Sequence, residues 1–244
     1  MTATAEASAL VIGYGETEVL GPVDLALAPG VTALLGRNGS GKTTLMRTLC
    51  GIIPELAGTC TVLGAAVADG AAVRSGVGYL GHESALATAL TVAQNLRFWA
   101  DVTGTYPGAE TVPVEELVDR FDLAELMDRK VASLSRGQRQ RADLARLAMT
   151  DPTFIVLDEP LTGLDPVYAA RTRTLLSTWG ATRTVLYSTH SVPEALELAE
   201  HFLIVSGRRV VELGGGTDPA HSSRPRARMP VTEAAILEVL EAGS

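Results

Sequence analysis

The sequence predicts an α/β fold: a parallel core sheet with crossover helices, an N-terminal antiparallel β region and an inserted α-helical subdomain. Three observations carry that expectation. The runs VTALLG (31–36) and FIVLDEP (154–160) are nearly continuous in apolar residues, as parallel strands covered on both faces must be. The first runs into a glycine-rich turn and then a helical repeat, and the second follows a long helical stretch from Thr91 to about Thr150. After Pro152, the apolar runs TVLYSTH and HFLIVSG alternate with helical segments, the order of strand, crossover and parallel strand.

Each element has its own local signal. ALVIGY and VDLALA, near the N-terminus, read as short strands separated by glycine, proline and charge. In KTTLMRTLCG and its continuation, Leu45, Leu49 and Ile52 recur at helical spacing, and Gly51 suits the C-cap. Thr91 caps TVAQNLRFWA, in which Val92, Leu96 and Trp99 share one face. GTYPGAE reads as a loop. Pro113 opens a further helix with Val114, Leu117, Val118 and Phe121 at i, i+3, i+4, i+7. YAARTRTLLSTW and VPEALELAE connect the later strands. GGGTDPAHSSRPRARMP reads as a flexible linker, and VTEAAILEVLEA as a short amphipathic helix docked on the domain surface. The expected division is a main domain over 1–213 with the helical subdomain inserted at about 86–150, a linker over 214–230 and a C-terminal helix over 231–244.

Composition narrows the function. Hydrophobic residues at 46% and charged residues at 20% describe a folded chain, not a disordered one. The net charge of −8 argues against a nucleic-acid partner. The three arginines of SSRPRARMP (222–230) read as part of a solvated linker, with a lipid or acidic-protein contact as the alternative. Cys50 and Cys60 lack metal-site spacing and read as two buried thiols in a reducing compartment. No apolar run approaches the roughly 18 residues of a membrane span, and the N-terminus lacks a signal-peptide pattern. The expectation is a cytoplasmic protein that would need a partner to hold it at a membrane.

Two motifs carry chemistry. GRNGSGKT comprises Gly36, Arg37, Asn38, Gly39, Ser40, Gly41, Lys42 and Thr43 and is followed by Thr44; it fits G-x-x-x-x-G-K-[ST] between a strand and a helix. Its glycines let successive backbone N–H groups converge on phosphate oxygens. Lys42 would reach the β- and γ-phosphates, Thr43 would ligate Mg²⁺, and the helix start adds its positive end. At the end of FIVLDE, Asp158 is placed to hold Mg²⁺ through water, and Glu159 to orient and deprotonate an attacking water. These two motifs define a P-loop NTPase and leave kinases, GTPases and motors open.

LSRGQRQR (134–141) raises a further question, because it offers phosphate a second helix start more than ninety residues from the first. The order P-loop, helical insert, LSxGQ, apolar strand, Asp-Glu resembles the ATP-binding cassette family, specifically its transporter ATPases, from about Ala9 to Val211. The resemblance implies a head-to-tail pair of cassettes, each ATP lying between the P-loop of one and the LSxGQ of the other. Ser135, Gly137 and Gln138 would then serve the partner's nucleotide. TGLDP (162–166) resembles the family's D-loop, with Asp165 communicating across the pair. His190, ending the strand of YSTH, would be the switch histidine at the γ-phosphate, and Tyr14 the aromatic that stacks on adenine. Implied too are a separate transmembrane permease subunit, a second ATPase subunit (the same chain or a relative), and a place at the inner face of the cell membrane.

The sequence departs from the family pattern at two places. Arg136 stands where glycine is usual in LSGGQ. His82, in GYLGHES, stands where the family has a glutamine that ligates Mg²⁺ and couples the site to the membrane partner. Imidazole is a poor ligand for a hard cation. His82 would act on the metal through water, hydrogen-bond the attacking water, or leave the metal to Thr43 and Asp158, with Glu83 as a neighbouring substitute. The LGH form and short length most resemble ATPases of heme-exporter and drug-exporter type. Against a transporter subunit stand a soluble cassette ATPase of translation or repair and a regulatory cassette that binds without turnover. The first would carry two cassettes, a long coiled coil or zinc-binding cysteines; the second conflicts with Glu159 and His190.

Overall fold

A computed structural model describes residues 3–104, 111–214 and 231–242. The loop expected over 104–110, apart from Gly104, and the linker expected over 214–230 with its arginines, apart from Gly214, lie outside the described residues.

The central sheet has six strands, in the order β10-β9-β3-β8-β7-β6. They are β3 (Gly30–Gly36), β6 (Val77–Leu80), β7 (Phe154–Leu157), β8 (Thr184–Thr189), β9 (His201–Ser206) and β10 (Arg209–Gly214). All neighbours pair in parallel except β9 and β10, which form an antiparallel edge hairpin. The apolar runs of these strands feed two cores. On β3, Ala33 and Leu35 join one core and Leu34 the other; on β7, Ile155 and Leu157 oppose Phe154 and Val156. All seven side chains are fully buried. Alternate residues of a strand point to opposite faces, so covering both faces requires an unbroken apolar run.

One face carries the second, antiparallel sheet, β2-β1-β4-β5: β1 (Ala5–Tyr14), β2 (Thr17–Leu27), β4 (Ala57–Val62) and β5 (Ala65–Ala66). Between the sheets lies α1 (Lys42–Leu49), which sends Leu45, Met46 and Leu49 into the shared core. The helix stops at Cys50, and Gly51 takes the left-handed conformation (φ 62°) expected past a helix end. Ile52, assigned to the helical stripe by its spacing, therefore lies beyond the turn and is 47% exposed. A short helix, α2 (Gly70–Arg74), leads into β6.

The other face carries the helices. α3 (Val92–Gly104), α4 (Val114–Arg120) and α5 (Arg136–Ala148) lie between β6 and β7 in the chain and form the helical insertion. Thr91 and Gln94 exchange side chain-to-backbone hydrogen bonds at 3.2 and 2.9 Å, a capping box for α3. Leu96 and Leu117 are fully buried, with Trp99, Val114 and Val118 packed beside them. The last turn of α5 presses on β6: a Cβ on Gly78 would stand 3.0 Å from Leu147 and 2.7 Å from Pro152. α6 (Pro166–Gly180) and α7 (Val192–Leu198) complete the crossovers. The C-terminal helix α8 (Glu233–Ala242) buries Ile236, and Ser206 of β9 donates to the Val239 carbonyl at 2.7 Å.

Candidate active site

The parallel strands deliver their C-terminal ends to one edge, where a crevice forms. β3 ends at Gly36 and opens the glycine loop. Gly39 (φ 77°) and Gly41 (φ 105°) occupy backbone conformations that a side chain would strain, and a Cβ on Gly41 would sit 3.0 Å from Val19. The loop thus keeps its N–H groups close to the space it encloses. Lys42, the first residue of α1, folds back across it, and its Nζ donates to the Gly36 and Arg37 carbonyls at 2.7 and 3.0 Å. Burial lowers the Lys42 pKa below its usual value; the charges of Glu159 and Asp158 oppose that shift. The Ser40 hydroxyl is buried without a hydrogen-bond partner in the protein.

Asp158 and Glu159 follow β7. Asp158 is 7% exposed and spans two neighbours. The Thr43 hydroxyl donates to its Oδ2 at 2.7 Å, and the Ser188 hydroxyl donates to its Oδ1 at 2.6 Å. Ser188, on β8, also accepts from the Glu159 backbone N–H at 2.8 Å. Glu159 itself holds a left-handed backbone (φ 51°), uncommon for a residue with a side chain. Its carboxylate accepts from Thr162 at 3.1 Å and stands 3.7 Å from Nδ1 of His190. The His190 side chain is 61% exposed.

These groups line adjoining clefts. One, of about 530 Å³, is bounded by Val19, Asn38, Gly39, Gly41, Lys42, Thr43, Thr44, His82, Asp158 and Glu159. A second, of about 440 Å³, is bounded by Arg37, Asn38, Glu159 and His190. The structure thus brings the loop, the paired acids, His82 and His190 together. Tyr14, at the end of β1, is 50% exposed and does not line either cleft; Val19 on β2 lines the first.

The LSRGQ segment opens α5. Ser135 caps it by accepting from Gln138 N–H at 3.2 Å, and the Gln138 side chain returns the bond to Ser135 N–H at 3.0 Å. Gln138 is therefore committed to holding the turn. Ser135 is exposed, and neither Ser135 nor Gly137 lines the two clefts above. Arg136 lies over Gly163 of TGLDP, where an added Cβ would stand 2.9–3.1 Å from its side chain. Asp165 caps α6, accepting from Val167 and Tyr168 N–H at 3.1 Å each.

Sequence reading passed over Ser188, Val19, Asp143 and Arg146. The first two sit in runs whose pattern reports only a strand. Among the described residues no group of three or more His, Cys, Asp or Glu side chains is arranged to hold a metal. Thr43 Oγ1 and Asp158 Oδ2 are instead hard oxygen donors within 2.7 Å of each other at the mouth of the glycine loop, and they fit Mg²⁺ carried in with phosphates. His82 offers nitrogen and does not fit that preference. Cys50 and Cys60 are buried free thiols. Among the described residues no helix is long and apolar enough to cross a membrane.

Crevice, glycine loop, paired acids and a second capped helix start define a cassette-type P-loop protein. The ABC transporter family model matches residues 20–162, more than half of the chain, and the chain belongs to that family. It is 38% identical over 204 residues to the daunorubicin resistance ATP-binding protein DrrA3 of Streptomyces coeruleorubidus, a match covering 82% of this chain and 65% of that protein. It is also 38% identical over 216 residues to the cytochrome c biogenesis ATP-binding export protein CcmA of Cereibacter sphaeroides, covering 86% and 92%. The chain thus spans slightly less than two thirds of DrrA3 and nearly all of that CcmA. Among solved structures, the ATP binding subunit of an ABC transporter superposes with a TM-score of 0.76 at 26% identity, over 86% of this chain and 89% of that one.

Proposed function

We propose that this chain is the ATP-hydrolysing subunit of a transporter, working as a head-to-tail pair at the inner face of the membrane and driving a separate permease. The observation that carries this reading is the convergence of Lys42, Thr43, Asp158 and Glu159 on one cleft while Ser135 and Gly137, at the capped start of α5, stay outside it. A phosphate-binding helix start turned to the surface fits the nucleotide of a second copy, and a two-fold pair supplies that contact twice.

The chain's groups divide the work. The glycine loop and Thr44 bind the phosphates, and Lys42 exchanges its carbonyl partners for phosphate oxygens. The exposed ring of Tyr14 supplies a face for adenine. Thr43 and Asp158 are the residues that would hold Mg²⁺, which would neutralise charge on the β- and γ-phosphates. Glu159 takes a proton from the water attacking the γ-phosphorus as the bond to the ADP oxygen breaks. His190, beside Glu159, orients that water. Ser135 and Gly137 of the opposite copy close over the γ-phosphate, and Asp165 lies at the seam. His82 stands between this chemistry and the helical insertion. There Leu90 (37% exposed) and Phe98 (53% exposed) offer apolar contacts to a cytoplasmic helix of the permease.

The test is the solution mass of Glu159→Gln with and without Mg-ATP. That change removes the base and keeps the binding groups. An ATP-dependent shift from monomer to dimer, abolished by Ser135→Arg, is expected. A monomer at saturating ATP, unchanged when the permease is supplied, would overturn the pairing.

A further inference from the structure

The chain between β6 and α3 carries His82 and has no helix or strand of its own from Gly81 to Leu90. Such a segment keeps its shape only if buried groups satisfy its backbone. Two buried side chains do so, a third holds the end of β6 just before the segment, and none belongs to the machinery described above. Asp143, on α5 and 2% exposed, accepts from Ala85 N–H at 3.2 Å, and the Ser84 hydroxyl of the same segment accepts from Leu86 N–H at 3.2 Å. Arg146, one turn on, pairs with Asp143 at 3.5 Å, donates to the Tyr79 carbonyl at 3.0 Å and lies 5.1 Å from the Trp99 ring centroid. Asn95, on α3 and 1% exposed, accepts from Ala87 N–H at 2.7 Å and donates to the Ala87 and Thr91 carbonyls at 3.1 and 2.9 Å.

These contacts fall at Tyr79, at Ala85, and at Ala87 and Thr91. Between the first two lies the span Leu80–Ser84, whose centre, His82, lines the cleft with Thr43 and Asp158. Leu80, Gly81, His82, Glu83 and Ser84 also line, with Asp143 and Gln140, a cleft of about 620 Å³ against α5. The Gln140 side chain donates to the Pro160 carbonyl, so the same helix also touches the turn after Glu159. Burial pushes the Asp143 carboxyl pKa up, against the opposing pull of Ser84, Arg146 and Ala85. A buried ion pair adds little to stability over an apolar pair of the same size. Its use here matches a geometric role.

We propose that Asp143 is a positioning residue for ATP turnover: through Ala85 it fixes the His82 loop to α5, so the angle of the helix that begins with LSRGQ sets where His82 stands beside Thr43 and Asp158. This rests on the functional reading above for its consequence in catalysis, and on contacts within the chain for its mechanical part. Asp143→Asn keeps the size of the side chain and an acceptor for Ala85, and removes the charge that holds Arg146. Ser84→Ala loosens the loop side by removing the acceptor of Leu86 N–H and a hydroxyl that favours the Asp143 charge, and it leaves no buried charge unpaired, so it reports even where Asp143→Asn folds poorly.

Both variants of the full chain are measured in two ways. In hydrogen–deuterium exchange, peptides over 80–87 should exchange on the order of tenfold faster while peptides over 36–45 stay unchanged. Exchange unchanged in the loop, or raised throughout, overturns the proposal. In steady-state turnover, kcat should fall about tenfold with KM for ATP held within about twofold, and neither substitution should lower kcat further in a His82→Ala background. Equal fractional losses in both backgrounds overturn positioning through His82. The exchange measurement needs no turnover. A wild-type chain that fails to hydrolyse ATP sinks the functional reading, while the loop result still decides the mechanical part.

Discussion

Ser188→Ala tests whether one hydroxyl organises the two adjacent acids, Asp158 and Glu159. In the folded chain Ser188 is fully buried; it donates to Asp158 Oδ1 at 2.6 Å and accepts from Glu159 N–H at 2.8 Å. Alanine removes both bonds in a single step. A hydrogen bond to a charged group contributes about 1.5–3 kcal/mol, and a buried N–H left without an acceptor costs about 1–3 kcal/mol. The two are coupled through one oxygen, so the expected loss is about 3–5 kcal/mol, a large part of the roughly 5–15 kcal/mol that a domain commands. Asp158 keeps Thr43, so its position is loosened, not lost, and turnover should fall about 10–100-fold. Urea denaturation followed by circular dichroism gives the stability, with an unchanged m-value showing that the denatured state is the same. Phosphate release gives the rate. A stability loss under 1 kcal/mol together with unchanged turnover would refute the argument that Ser188 orders this pair.

Three further outcomes follow from the same coordinates. Glu159→Gln should lower kcat about 10²–10⁴-fold while ATP affinity, measured by titration calorimetry, changes no more than a few-fold; a kcat above a tenth of wild type would remove Glu159 from the base role. Gly163→Ala places a side chain at φ 74° and against the flexible end of Arg136. The left-handed backbone should cost about 1–2 kcal/mol, and Arg136→Ala should not recover it if the backbone, not the contact, sets the penalty. Burial pushes the Cys60 thiol up from 9.0 to about 12, with the Glu55 charge adding to the shift. The folded chain therefore keeps a proton there that the unfolded chain loses. Stability should fall as pH rises from 9 towards 12, by about 1.4 kcal/mol per pH unit for this thiol, and Cys60→Ala should remove its share of the slope.

The elements that read clearly in the sequence share a physical reason. Doubly covered strands need continuous apolar runs, and the glycine loop needs glycine where φ is positive. VTALLG, FIVLDE and GRNGSGKT therefore announced both sheet and site. Thr91 and Pro113 marked helix starts because capping chemistry is local. Side chains whose role depends on a distant partner gave no such signal. Ser188 lies within an apolar strand and is ordinary there until Asp158 is seen beside it. Asp143 and Arg146 look like the polar stripe of a helix; only packing shows that they face inward. The edge strand β10 alternates too weakly to separate from a loop, since its side chains are mostly exposed or half-buried. Ile52 kept the helical spacing past the point where Gly51 turns the chain. Gln138 sits in a motif tied to nucleotide binding, yet its side chain completes the helix cap.

The contact between Leu147 and Gly78 gives α5 a fixed end. From there the helix reaches about 20 Å to Ser135, whereas Asp143 lies only about 6 Å along it. A tilt of about 15° about that end would carry Ser135 roughly 5 Å and Asp143 roughly 1.5 Å. The helix is thus a lever with a short arm on the His82 loop and a long arm on LSRGQ. With a gearing of about three, a wide swing at the exposed end would become a displacement near one bond length at Asp143 and the loop it holds. In the reverse direction a small push on the loop is amplified by the same ratio at the surface.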